Sequence, residues 1–360
     1  MVKPEYKIPT MKEIENIEWN NKVVVSTFSG GGGSCLGYRM AGYKVLYANE
    51  FVEEAQKTYK MNNPNSYLDT RDIRQVSAER ILNKINKKRG EIDIFDGSPP
   101  CCAFSMAGKR EKGWNKKNSY SDNKVQRIDD LFFEYIRILD GLQPKVFIAE
   151  NVKGLTLGTA KGYFNEIINK MRDCGYNVKA SVLNAQWLGV PQSRERVIFC
   201  GVRKDLNIQP SFPKPLNYYY TLNDAFKNIE NNGEDIFLLE EIKKYKLYKI
   251  LKLLPKNPKK RISGSKVMNG SYFNLVRESM FMPCSTICQM NGIAGSAGNC
   301  HPLEDRKFTM AELKRITSIP EDFILTGTYE QKWERLGRMV PPLMMKAIAE
   351  NVYKEILCKI

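Results

Sequence analysis

One cysteine follows two prolines at the end of an apolar run, Asp96-Gly97-Ser98-Pro99-Pro100-Cys101. Proline fixes φ, so the pair stiffens the approach and sets where the next side chain points. A free thiol is a few per cent thiolate at pH 7, and nearby positive charge raises that fraction. Cys101 is therefore a candidate nucleophile. A carboxylate, Glu150, ends a second apolar run and is followed by Asn151-Val152. In Gln192-Ser193-Arg194-Glu195-Arg196, two guanidinium groups on alternate residues share one face of an extended segment. Each offers fixed, bidentate donors to a phosphate or a carbonyl oxygen. Near the start, Ser29-Gly30-Gly31-Gly32-Gly33-Ser34 is a glycine-rich turn, and Glu50 lies 20 residues after Gly30. At that spacing a carboxylate reaches the ribose of a nucleotide seated on the turn. Composition leaves NAD, FAD and S-adenosylmethionine open as that nucleotide.

These residues need rigid elements to hold them. Residues 22–28 read as a buried strand before the glycine turn, Cys35 to Gly42 as a short helix, and Lys44 to Glu50 as a second strand. Glu91 to Asp96 and Lys145 to Glu150 read as further strands. Arg127 to Leu142 has helical apolar spacing, Tyr163 to Cys174 suits a crossover helix, and Val178 to Leu183 and Arg196 to Gly201 suit later strands. Strand–helix alternation predicts a mostly parallel sheet covered on both faces, with ligands at the carboxyl ends of its strands. The alternation stops near Asp205. Nine basic residues lie between Lys243 and Arg261, and helical spacing returns from Thr309.

Composition bounds the class. The 360 residues carry 56 Lys+Arg against 40 Asp+Glu, a net charge of +16, with 42% hydrophobic residues. That is globular and calls for a polyanionic partner. Apolar runs reach about six residues, against roughly 20 for a membrane helix, and no signal core is present, so no membrane association is expected. Nine cysteines without CxxC spacing and a single histidine, His301, argue against a metal site and for a reducing compartment. The lone histidine also weakens any Cys-His pairing of the protease kind.

Together the blocks resemble the cytosine-C5 DNA methyltransferase family. The matching segments are Phe28 to Gly33, Asn49-Glu50-Phe51, Arg71-Asp72-Ile73, Gly97 to Cys101, Glu150-Asn151-Val152, Gln192 to Arg196, and Val340-Pro341-Pro342. The resemblance implies an α/β, Rossmann-like, mostly parallel sheet with helices on both faces, plus a smaller DNA-recognition domain. It implies a catalytic domain over 1–204, target recognition over 205–324 and a C-terminal segment, 325–360, returning to the catalytic domain. By position, Cys101 matches the nucleophile that adds to C6 of a flipped-out cytosine. Glu150 matches the acid at N3 and the exocyclic amine, and Arg196, with Arg194, the donors to the cytosine carbonyl. Phe28, Gly30, Gly32, Glu50, Phe51, Asp72, Ile73, Pro100, Leu131 and Val340 match positions around S-adenosyl-L-methionine, with Glu50 on the ribose hydroxyls and Asp72 on the adenine amine. The basic segment Phe104 to Arg127 matches a mobile loop that closes over DNA. The implied partner is double-stranded DNA, and the implied protein is a monomeric, cytoplasmic enzyme of bacterial or phage type.

Two departures stand out. Ser26-Thr27-Phe28 replaces the family's common Asp-Leu-Phe, and Arg338 replaces a common Asn before Val340, which bears on the cofactor contact there. His301-Pro302 with Arg306 resembles another block, with a structural or phosphate-binding role expected for Arg306. Cytosine-C5 modification of RNA, a DNA-binding protein without catalysis and, more distantly, a nicotinamide oxidoreductase are the rival readings. The sequence does not give the target site or say whether a restriction nuclease accompanies the enzyme.

Overall fold

The computed structural model describes residues 3–100, 117–119, 125–127, 130–158, 160–229, 234–269, 272–289 and 298–360. They cluster in two compact units. The larger comprises Glu15–Asn184, Glu195–Lys214 and Met345–Ile360, the smaller Met1–Ile14, Ala185–Arg194 and Pro215–Met344.

The strands of the first half are β1 (Val23–Thr27), β2 (Lys44–Asn49), β3 (Tyr67–Asp69), β4 (Ile94–Gly97), β5 (Lys117–Ser119) and β6 (Val125–Arg127). β7 (Val146–Val152), β8 (Tyr176–Asn184), β9 (Gln192–Ser193) and β10 (Glu195–Arg203) follow. The larger unit is built on a seven-stranded sheet in the order β3-β2-β1-β4-β7-β10-β8. The first five of these run parallel, and β10 lies antiparallel between β7 and β8. β5 and β6 form a separate antiparallel pair.

The sheet is covered on both faces. After α1 (Met11–Glu15) come α2 (Gly33–Met40), α3 (Glu53–Asn62), α4 (Ala78–Lys84), α5 (Leu131–Leu142) and α6 (Ala160–Asp173). On one face Val25, Phe95, Phe147 and Phe199 pack with Leu131, Phe132, Tyr135 and Leu139 of α5 and Ile167 and Met171 of α6. Ser26 and Asp96 alternate with Val25 and Phe95, so they point to the other face, where Tyr38 of α2 reaches Asp96. The three consecutive valines of β1 suit burial on both sides. Sequence periodicity places the start of α5 too early, at Arg127. Residues 125–127 are instead strand, and the helix begins at Leu131. β3 has three residues and too little apolar pattern to be legible in the sequence.

The smaller unit holds α7 (Leu222–Ala225), α8 (Glu234–Lys243), α9 (Lys246–Leu251), α10 (Met310–Ile316) and α11 (Tyr329–Arg338). It also holds the short strands β11 (Ile262–Ser263), β12 (Leu275–Arg277), β13 (Cys284–Ser285) and β14 (Gly298–Cys300). β13 pairs with β9, which draws residues 185–194 into this unit. Tyr6 packs on Tyr220 and bonds the Arg315 carbonyl, so the N-terminal residues belong here too. Residues 325–344 also cluster with this unit, because Trp333 bonds the Cys288 carbonyl and Gly337 lies against the 288–289 backbone. These divisions differ from breaks at 204/205 and 324/325. α12 (Pro342–Glu355) carries the chain back, and Ala349 accepts a hydrogen bond from Tyr43 in the larger unit.

Glycines test the packing. A Cβ at Gly201 on β10 would land inside the ring of Phe147, its cross-strand partner, whereas one at Gly162 in α6 would meet no described atom. Gly201→Ala should lower stability by about 2 kcal/mol. Gly162→Ala should raise it by about 0.5–1 kcal/mol, both read as shifts of the urea midpoint at constant slope.

Candidate active site

Parallel strands β2, β1, β4 and β7 end on one edge, and described sequence-selected residues of the larger unit, among them Gly30, Glu50 and Glu150, lie there. Glu150, near the end of β7, is buried. Its Oε1 takes an ion pair from Arg196 Nε at 2.8 Å. Arg196, second residue of β10, lies opposite Val152, two residues along from the partner of Glu150, which is Ile198. Arg196 Nη1 also donates to the Glu195 carbonyl. Next to Glu150, the buried Asn151 donates from Nδ2 to the Pro99 carbonyl at 3.0 Å. That bond ties the end of β7 to the rigid Pro99-Pro100 exit of β4. Cys101, proposed as the nucleophile, lies outside the described residues, as does the basic segment after it apart from the backbone of β5 and β6.

Arg194 is placed differently from Arg196. It belongs to the smaller unit, is 2% exposed and donates from Nη1 to the Ile287 carbonyl at 3.2 Å. The turn out of β9 gives the two arginines different surroundings, although an extended segment would have put them on one face.

The glycine turn is a cradle. Gly30 and Gly32 have φ of 56° and 97°, in the left-handed region where glycine is favoured. A Cβ at Gly32 would come within 2.8 Å of Asn63 Nδ2, so α3 closes that side. A Cβ at Gly30 would meet no described atom within 4 Å, so the turn is open there. Glu50, buried just past β2, accepts the Gly30 N–H on one oxygen and the Val52 N–H on the other, both at 2.7 Å. The Glu50 and Phe51 carbonyls are held by the Gln56 side chain. Phe28 also sits at positive φ, 54°, and is half-buried beside the turn. Asp72 caps a single helical turn by accepting the Arg74 N–H, and Arg74 also holds Asp130. Pro100 is half-buried, whereas the side chains of Ile73 and Leu131 belong to the core beneath the edge. Val340 is buried in the smaller unit. An open glycine cradle with a carboxylate at the neighbouring strand end suits an adenosyl group.

One functional candidate was passed over in the sequence. Asp96 is 2% exposed, and accepts hydrogen bonds from Ser26 Oγ at 3.0 Å and Tyr38 Oη at 3.2 Å. Burial pushes its carboxyl up to about 7, against the pull of those two bonds, and Glu150 adds to the rise. Ser26 and Asp96 are partners across β1 and β4. The carboxylate expected at position 26 therefore stands on the adjacent strand at the same level. The signal was an Asp at a strand end facing a Ser where an acid is usual.

Other residues have structural roles. Arg306 is buried between Glu304 and Glu312, so it is not a phosphate donor. Burial alone would raise the Glu312 carboxyl, but bonds from Arg306 and His301 outweigh it and hold it at about 2. Arg338 pairs with Glu334 one turn back in α11 at 2.7 Å. Burial pushes the thiols of Cys35 and Cys200 up to about 11 and 12, which keeps them protonated. Among the described residues, no cluster of three His, Cys, Asp or Glu could hold a metal, and no helix is long and apolar enough to cross a membrane.

The sheet order and the helices on both faces define an α/β fold with a mostly parallel sheet. The chain belongs to the C-5 cytosine-specific DNA methylase family, whose model matches residues 23–354, and it is a DNA cytosine-C5 methyltransferase. It is 32% identical to the Type II methyltransferase M1.HphI of Haemophilus parahaemolyticus, over 92% of this chain and 86% of that protein. It is 30% identical to the Type II methyltransferase M.NgoFVII of Neisseria gonorrhoeae, over 95% and 89%. Its fold matches the crystal structure of a candidate DNA modification methyltransferase from an E. coli prophage. There the TM-score is 0.71 and the identity 22%, over 94% of this chain and all of that one.

Glu50→Ala removes the acceptor of two backbone N–H groups and should cost about 2–3 kcal/mol in chemical denaturation. Asp96 gives a pH signature. Below about pH 4 the acid is protonated whether folded or unfolded. Between about 4 and 7 the unfolded chain releases the proton while the folded one keeps it, so this contribution to stability is lost as pH rises. The melting temperature of Asp96→Asn relative to wild type should therefore climb across that window and level off above it.

Proposed function

We propose that the enzyme transfers methyl from S-adenosyl-L-methionine to C5 of a flipped-out cytosine in duplex DNA through a covalent Cys101–C6 adduct. The observation that carries this reading is the Glu150–Arg196 pair, tied by Asn151 to the Pro99 carbonyl two residues before Cys101. Glu50 would hold the ribose hydroxyls, with Phe28, Gly30, Gly32 and Phe51 around the turn. Asp72, Ile73, Pro100, Leu131 and Val340 complete the family's positions for the cofactor. When bound, that cofactor supplies the methyl group as an electrophile on its sulfonium.

The chain's own residues supply the rest. Glu150 engages N3 and the exocyclic amine and Arg196 the carbonyl oxygen, so the ring accepts an electron pair. The Cys101 thiolate forms a bond to C6, which makes C5 enamine-like. After methylation, loss of the C5 proton and cleavage of the S–C6 bond release the thiolate. Dividing one hard step into two is the usual gain of covalent catalysis. The target carbon is inaccessible in a duplex, so the base must leave the stack.

The smaller unit is read as the target-recognition part. Several basic residues of 243–261 already have partners within it. Lys243 and Lys244 pair with Glu240 and Glu241, Lys256 with Asp305, and Arg261 donates to the Pro283 carbonyl. Lys259 and Lys260 are exposed and suited to phosphate. The acting form is taken to be a cytoplasmic monomer.

Cys101→Ser should lower methyl incorporation by more than about a hundredfold while DNA binding persists. Full activity in that variant would refute the adduct. Bisulfite sequencing of DNA from expressing cells would give the target. Lys259→Ala with Lys260→Ala should flatten the log–log salt dependence of DNA binding by about two units without altering the methylated sequence.

A further inference from the structure

Two hydroxyls donate to Asp96, and a third donates to one of them. Ser29 Oγ donates to Ser26 Oγ at 3.0 Å, Ser26 Oγ donates to Asp96 Oδ2, and Tyr38 Oη donates to Oδ1. Ser29 opens the glycine turn, and its carbonyl accepts the Gly32 N–H at 3.0 Å. The relay therefore runs from the carboxyl at the end of β4, through β1, to the turn itself. The groups around Asp96 are Ser26 on β1, Cys35 and Tyr38 on α2 and Glu150 on β7, with Tyr135 of α5 on the opposite face of the sheet. None of these is a cation.

We infer that Asp96 is a positioning residue for the cofactor: through Ser26 and Ser29 its charge holds the turn that cradles the adenosyl group. This rests on the S-adenosylmethionine reading of the turn. With Asp96 ionised, every donor in the relay points inward, and hydrogen bonds to an anion are about twice as strong as neutral ones. With Asp96 neutral, its own proton needs an acceptor, and Ser26 Oγ is within reach. Ser26 then turns its proton to Ser29 Oγ, and the Ser29 proton leaves the relay. The turn loses its charge-assisted anchor, and a less preorganised site binds more weakly. Burial places this titration at about 7, inside the working range of an enzyme. The relay acts on the turn, so it affects any ligand seated there, with or without a positive sulfur.

The test is equilibrium binding of S-adenosylmethionine and of its uncharged thioether product, S-adenosylhomocysteine, from about pH 5.5 to 8.5, for wild type, Asp96→Asn and Ser29→Ala. Wild type should bind both ligands about fivefold more tightly at the alkaline end, with a midpoint near pH 7. Both variants should bind at the weak level throughout. In infrared difference spectra of the ligand-free protein against Asp96→Asn, the protonated-carboxyl band should titrate in Ser29→Ala as in wild type, showing the acid intact and the relay cut. A wild-type pH profile in either variant would overturn the inference. So would a response confined to S-adenosylmethionine, which would mean direct attraction of the sulfonium. Wild-type protein that binds neither ligand at any pH would sink the cofactor reading and this inference with it.

Discussion

Strands that run parallel in one sheet release their chains along the same edge, and the loops there arrive with unpaired N–H groups. Here side-chain oxygens meet that demand. Glu50 takes the Gly30 and Val52 N–H groups, Asp69 that of Arg71, Asp72 that of Arg74, and Asn151 that of Val152. An acidic or amide residue thus stands at or just beyond the ends of β2, β3 and β7. Arginines accompany several acids of this edge, Arg71 on Asp69, Arg74 on Asp72 and Arg196 on Glu150. On the proposed cofactor reading, two of these loop-shaping acids, Glu50 and Asp72, would also face the adenosyl group.

Much of this was legible because the strongest signals were covalent spacings. The glycines at 30 and 32 demand left-handed φ, and Glu50 follows at the distance a βαβ unit sets. The valine-rich β1 and the apolar face of α5 announced themselves by period. Asp96 did not, because its meaning depends on Ser26, 70 residues away, and only strand register puts them side by side. The different surroundings of Arg194 and Arg196 were hidden for a related reason: one residue of irregular backbone between β9 and β10 is invisible to a period-two reading. The unit boundaries were also hidden. Tyr6 on Tyr220 and Trp333 on the Cys288 carbonyl are long-range contacts with no local pattern.

The basic charge has a division of labour that a count conceals. Arg277 and Arg306 are fully buried and serve the interior of the smaller unit, bonded to Asp305 and to Glu304 and Glu312. A buried guanidinium is tolerated when acceptors match its fork: Arg306 bonds through all three nitrogens and Arg277 through Nη1 and Nη2. Lys246 and Lys252 lie over tyrosine rings, spending their charge on cation–π contacts. What remains for a polyanion is less than the sequence total suggests.

Phe28 carries a different lesson. Its left-handed backbone costs a bulky residue on the order of 1 kcal/mol. A search for sturdier variants guided by backbone strain alone would select Gly or Asn at this position, at the expense of the apolar contact Phe28 makes with the core. The aromatic wall beside the turn would be gone. On the proposed cofactor reading, relief of backbone strain at Phe28 and the shape of the turn pull in opposite directions.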